Sequence, residues 1–280
     1  MSLTDSTCVS PSAAAPRRYA FRADASTAIG IGHVMRCLTL ARRLRERGGE
    51  VRFIARTLPQ AYRDEIVGFG CSVAMLPPAP RPADTAAGPA HAAWLGAHRE
   101  DDAAQTAAAI EAWGGTDVLV IDHYAIDRRW EALLRPHARL ICVIDDLADR
   151  RHDCDVLLDQ NYFPEFAGRY QGLLPAHCRL LCGPSHALLR SEFLDATVQR
   201  PRDGSIHRVL VFYGGADPDN LTGLTLDAVH RGDVDDAAKA TLGHLRGDGV
   251  GDVEEAGQVG GDDGIPLALF HLREELVAGD

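Results

Sequence analysis

The stretch ASTAIGIGHVM (residues 25–35) sets two closely spaced glycines before a histidine, at what reads as a strand-to-helix turn. Gly30 and Gly32 let the backbone approach a ligand closely, and the helix that follows offers free amides and the positive end of its dipole. A helix start disfavours the imidazolium, so His33 is expected to be neutral near pH ~7 and able to take a proton from water. That is a general base by position, provided the ring lies beside an open hollow. The alternative is a solvated histidine on an ordinary turn. The turn is no dinucleotide fingerprint, because Met35 stands where GxGxxG needs its third glycine, and no GK[ST] follows to make a P-loop.

Polar groups also close several apolar runs: Asp122, His123 and Tyr124; Asp145 and Asp146; Asp159, Gln160 and Asn161. Taken singly, each can be a helix cap or a loop ligand. Three such ends on one rim point to a polar ligand pocket. A second glycine turn, GGADPDN (214–220), either cradles a diphosphate or simply starts a helix capped by Asp219 or Asn220. Cys178, Cys182 and His186 lack zinc-site spacing, so no metal is expected.

The elements that must position these groups alternate along the chain. Strands are expected at 19–25, 51–56, 72–76, 117–122, 138–145, 155–161 and 179–182, and helices at 33–48, 59–69 and 101–113, with a proline- and alanine-rich loop at 77–90. This order implies an α/β, doubly wound parallel sheet covered on both faces. After the polar linker 197–206 a strand (208–215) and a helix (219–229) begin the pattern again. The expected organisation is a disordered extension (1–16), an N-terminal α/β domain carrying His33 (17–196), and the start of a second domain (207–230).

The chain of 280 residues is 46% hydrophobic and 25% charged, which excludes disorder, collagen and coiled coil as its overall class. A net charge of −11 argues against nucleic acid as a partner. No apolar run is long enough to cross a membrane, and the first residues lack the apolar core of a secretory signal. Seven scattered cysteines without a CxxC pattern fit reduced thiols in a cytoplasm. Residues 231–280 stand apart: twelve acidic side chains face four basic ones, and 10 of the 27 glycines fall there. Such a segment buries little apolar surface to offset its ordering entropy. It is expected to be a shifted reading frame or a truncated end, leaving the second α/β domain incomplete.

Six blocks in order carry a family resemblance: FRADASTAIGIGHVMRCLTLA (21–41), VIDHY (120–124), IDD (144–146), CDVLLDQN (154–161), CGPSHALLRSEF (182–193) and GGADPDNLT (214–222). Together they resemble the UDP-2,4-diacetamido-2,4,6-trideoxy-β-L-altropyranose hydrolases of pseudaminic acid biosynthesis. The resemblance implies a fold similar to the GT-B glycosyltransferases, with the active site between two doubly wound domains. It implies hydrolysis of a UDP-sugar at the anomeric carbon with inversion, without metal or cofactor. His33 matches the catalytic base. Tyr124 matches a tyrosine beside the sugar, and Arg22, Asp24, Gly30, Gly32, Asn161 and Arg190 fall in blocks that would shape the sugar site. Gly214, Gly215 and Asp217 match the nucleotide side of the cleft. Two other expectations are an inactive remnant lacking the uridine site and a related glycosyltransferase, in which His33 would deprotonate an acceptor hydroxyl.

Overall fold

The computed structural model describes residues 15–86, 88–194, 211, 213, 217 and 219–230. The linker 197–206, Gly214, Gly215, the acidic tail 231–280, most of the amino-terminal extension and most of the strand expected at 208–215 lie outside the described residues.

Seven strands form one sheet: β1 (Arg18–Ala23), β2 (Glu50–Ala55), β3 (Ser72–Met75), β4 (Thr116–Asp122), β5 (Ala138–Ile144), β6 (Val156–Asp159) and β7 (Arg179–Cys182). Their order is β3-β2-β1-β4-β5-β6-β7, and every pairing is parallel. The helices are α1 (Gly32–Glu46), α2 (Gln60–Gly68), α3 (Arg99–Glu111), α4 (Arg128–Leu134), α5 (Phe166–Arg169), α6 (Ser191–Leu194) and α7 (Leu221–His230). The expected α/β, doubly wound parallel sheet is therefore present, with each of the seven apolar runs forming a strand.

Strand side chains alternate between faces, and that alternation divides the core in two. Tyr19, Phe21, Val118, Val120, Cys142 and Ile144 pack beneath α1 and α2. Ala20, Leu119, Ile121, Ile141 and Val143 pack against α3 and α4 on the other side. Helix α1 lays Val34, Cys37, Leu38, Ala41 and Leu44 on the sheet, spacings of three and four that keep one stripe inward. Each such buried leucine stabilises the fold by roughly 1.5–3 kcal/mol over an exposed one. The helix stops at Gly48, whose φ of +83° is open to glycine at little cost, and the Gly49 amide turns back to the Leu44 carbonyl.

Several elements depart from the sequence reading, the short helices α5 and α6 among them. Helix α4 has no counterpart in it; Asp127 caps the helix by accepting from the Arg129 amide at 2.9 Å, and Trp130 and Leu134 anchor it with no exposed surface. Strand β6 ends at Asp159, short of Asn161, and Gln160 beyond it accepts from the Leu188 amide at 3.1 Å. Among the described residues no helix is long and apolar enough to cross a membrane.

Candidate functional site

From β1 the chain moves outward to β2 and β3, and from β4 it moves the opposite way to β5, β6 and β7. The carboxyl ends of β1 and β4 therefore flank the point where the winding reverses, the usual crevice for ligands in open parallel sheets. His33, the second residue of α1, comes from the β1 side, and Asp122, the last residue of β4, from the other. They meet at 2.5 Å, His33 Nδ1 to Asp122 Oδ1.

Alternation along β4 explains the meeting. Val118 and Val120 face α1, so Asp122 does too, with a charge where the series ends. The carboxylate is fully buried, which pushes its pKa up, but the charge and hydrogen bonds of Arg36, followed by those of His33, outweigh burial and hold it at about 2. An ionised carboxylate only accepts, so Nδ1 donates to it, and a neutral ring presents its lone pair at Nε2. Arg36 Nη2 lies 3.5 Å from Nδ1, a cation beside an N–H and too far for a useful hydrogen bond. Among the described residues Nε2 has no hydrogen-bond partner.

Arg36 organises the rest. It grips Asp122 with two bonds, Nε to Oδ2 at 2.5 Å and Nη2 to Oδ1 at 2.7 Å, and reaches Asp146 Oδ2 with Nη1 at 2.9 Å. Asp146 also accepts from the Tyr124 hydroxyl at 2.5 Å. Burial, then that hydrogen bond, raises the Tyr124 pKa well above its ordinary value, so the phenol keeps its proton. The Tyr124 ring meets His33 edge-on at 4.4 Å between centroids. Trp94, in the turn Ala92–Leu95, is stacked 6.0 Å from Tyr124, and His91 packs beside both, 4.4 Å from Trp94 and 5.6 Å from Tyr124.

The glycine loop is shaped from below. The Asp24 carboxylate accepts from the Arg56 amide at 2.6 Å and the Thr57 amide at 3.1 Å, and pairs with Arg22 at 2.9 Å and His123 at 3.2 Å. It thereby ties the ends of β1, β2 and β4 together. The Gly30 amide donates to the Ser26 carbonyl at 2.8 Å, closing the loop at a φ of +79° that side chains disfavour. Above Gly30 and Gly32 the space is open, with no atom where a Cβ would look for contact.

The residues singled out in the sequence are thus sorted. His33 and Tyr124 come together, and Asn161 joins them weakly, its amide 3.4 Å from Asp146 Oδ2. His33 is more enclosed than the open rim expected, with 7% of its side chain exposed. Arg22 and Asp24 are fully enclosed and hold strand ends; neither side chain can touch a ligand. Arg190 is exposed and stacks over Phe193 at 5.0 Å, away from the cluster. Asp217, not Asp219 or Asn220, caps α7: its oxygens accept from the Leu221 and Thr222 amides at 2.9 and 3.0 Å, so two amides a diphosphate would need are already taken. Asp145 and Asp159 turn inward to Tyr170, leaving Asp146 as the carboxylate that the last two strand ends bring to the network. Arg36 is absent from the sequence reading although its signal was there, since His33 and Arg36 are three residues apart on one helix face. Among the described residues no group of three or more His, Cys, Asp or Glu is placed to hold a metal.

No protein-family model matches the chain. Over 203 residues it is 28% identical to a UDP-2,4-diacetamido-2,4,6-trideoxy-beta-L-altropyranose hydrolase of Campylobacter jejuni, a match covering 72% of this chain and 62% of that protein. The chain thus spans less than two thirds of that relative's length. Solved structures with partial likeness include a MurG of Acinetobacter baumannii, 12% identical with a TM-score of 0.39 over 59% of this chain and 44% of that one. The glycotransferase of kitacinnamycin is 20% identical with a TM-score of 0.33 over 46% of this chain and 30% of that one. A 3-oxoacyl-[acyl-carrier protein] reductase of Brucella melitensis scores 0.30 at 18% identity, over 49% and 59% of the two chains. Scores this low do not separate one parallel-sheet family from another.

The buried charges carry a pH signature. Asp24, like Asp122, is held below the ordinary carboxylate range, burial being outweighed by the charge of Arg22 and the hydrogen bond of His123. Such groups contribute stability in full above the unfolded pKa of ~3.9 and lose it as pH falls through the folded value, about 2 for Asp122. Burial pulls His123 below its ordinary value, so its contribution is full above ~6.5 and declines below it. Urea unfolding followed across pH should show stability declining from about pH 6.5, most steeply below about 4. A flat profile from about pH 7 to 3 would contradict these assignments.

Proposed function

We propose that this chain is a UDP-sugar hydrolase in which His33 is the general base. Nε2 takes a proton from the water that attacks the anomeric carbon, and the Asp122 carboxylate, hydrogen-bonded to Nδ1–H, stabilises the positive charge that develops on the ring. The observation carrying this reading is the His33–Asp122 pair at the point where the sheet's winding reverses. The six sequence blocks and the C. jejuni relative support the substrate class. Arrangement in two GT-B-like domains, 17–196 and a second beginning at 207, belongs to the same proposal.

Within it each residue has a task. Asp122 fixes the tautomer and the ring's direction, and Arg36 fixes Asp122. Tyr124 stands against the ring and directs its proton to Asp146. Gly30 and Gly32 supply open backbone at the start of α1, where a negative leaving group is favoured. A single base beside a single water gives inversion, whereas retention would call for a second carboxylate acting as nucleophile. UDP leaves readily once its charge is held, so no strong general acid is required.

The test is UDP release from UDP-2,4-diacetamido-2,4,6-trideoxy-β-L-altropyranose, with and without a sugar acceptor. Release without acceptor, with the free sugar as product, supports hydrolysis. Release only with an acceptor makes the protein a glycosyltransferase, and none at all makes it an inactive relative. Asp122→Asn is expected to lower kcat by about 10²–10⁴-fold, because the ring loses its fixed tautomer, with KM little changed. Near-normal kcat in a variant that retains the wild-type melting profile would remove Asp122 from that task.

A further inference from the structure

On the opposite face of the sheet from α1 lies a cavity of about 520 Å³, lined by Arg128, Arg129 and Ala132 of α4, by Arg151, His152 and Asp153, and by the turn Gly172–Pro175. Its charges do not cancel. The Arg129 guanidinium is bound to Asp127, at 2.6 and 2.9 Å. Asp153 pairs with Arg135 at 3.1 Å, and Glu131 beneath accepts from His152 Nδ1 at 2.7 Å. Each acid near the cavity therefore already has a basic partner. Arg128 and Arg151 do not: among the described residues neither guanidinium has a hydrogen bond or ion pair. Their backbones are tied together, the Arg128 amide donating to the Arg151 carbonyl at 2.8 Å, so the two residues sit side by side on the rim of the cavity, both exposed. The His152 amide donates to the Leu173 carbonyl at 2.9 Å and fixes the far wall, where Leu173, Leu174 and Pro175 are half-buried.

We propose that this cavity is a binding site for a small organic phosphate. Arg128 and Arg151 take the phosphate, and Ala132, Leu173, Leu174 and Pro175 take its apolar body. Guanidinium groups suit phosphate oxygens, and these two line the cavity with no carboxylate among the described residues to neutralise them. The volume falls within the range of about 300–1,000 Å³ usual for small-molecule pockets. Because the site and the His33 pair lie on opposite faces, both can be filled at once, and neither proposal depends on the other.

Calorimetric titration of the full chain with phenyl phosphate and with inorganic phosphate tests this. Saturable binding of phenyl phosphate at about millimolar or tighter is expected, stronger than that of inorganic phosphate and weakened by added salt. Arg128→Ala and Arg151→Ala should each weaken it by about tenfold or more, while His33→Ala leaves it unchanged. Hydrogen exchange should show protection by phenyl phosphate at residues 128–132 and 172–175. No saturable binding, wild-type affinity in both arginine variants, or protection confined to the loop 26–33 would each overturn the assignment.

Discussion

His33→Ala is expected to lower UDP release by about 10²–10⁴-fold, the usual contribution of a positioned base. The fold should survive, because Asp122 keeps both bonds from Arg36 and is not left as an unpaired buried charge. His33→Gln sharpens the test: its amide can still donate to Asp122 but cannot accept a proton, so it should preserve stability and remain as inactive as alanine. Steady-state rates, with chemical denaturation run in parallel, separate loss of chemistry from loss of fold. Hydrolysis within a few-fold of wild type in either variant would end the proposed role of the imidazole.

Asp102→Ala is expected to be the most destabilising single change, costing about 3–5 kcal/mol. Its carboxylate, with no exposed surface, receives Arg22 at 2.9 Å, Arg56 at 2.8 Å and the Trp130 indole at 3.0 Å, joining α3 and α4 to β1 and the end of β2. Alanine would leave a fully buried guanidinium with only Asp24 to balance it, and a buried indole N–H with no acceptor. Denaturant unfolding should show a lower midpoint with an unchanged m-value. A midpoint shift worth under about 1 kcal/mol would show that water reaches this cluster and replaces the lost carboxylate.

These two residues mark what could be read from the chain and what could not. His33 was legible because a glycine turn before an amphipathic helix is a local pattern. The strands were legible because Val118–Ile121 and Ile141–Ile144 are continuous apolar runs, buried on both faces. Asp122 was visible as a strand end, but its choice of His33 over a backbone cap depends on β4 lying next to β1, and one-dimensional spacing does not report strand order. Asp102 reads as an acid in the first turn of α3; only packing turns it into the partner of two arginines. Trp94 and His91 reach Tyr124 from a loop without periodicity, so no pattern announced them. The sequence reading also ranked Arg22 with the ligand-binding groups because it lies in the same block as His33, whereas strand alternation points it to the other face with Ala20 and Asp24.

Asp122 ends β4, registered against Ala23 at the end of β1, and His33 stands in the first turn of the helix that follows β1. The place of Asp122 is consequently inherited from a backbone ladder, and that of His33 from the same ladder together with the loop 24–31, closed by the Gly30–Ser26 bond. A one-residue slip of β4 against β1 would turn Asp122 to the far side and bring Ile121 or His123 under α1. The same amide ladder that stabilises the sheet thus acts as the gauge that sets which side chain of β4 meets the imidazole.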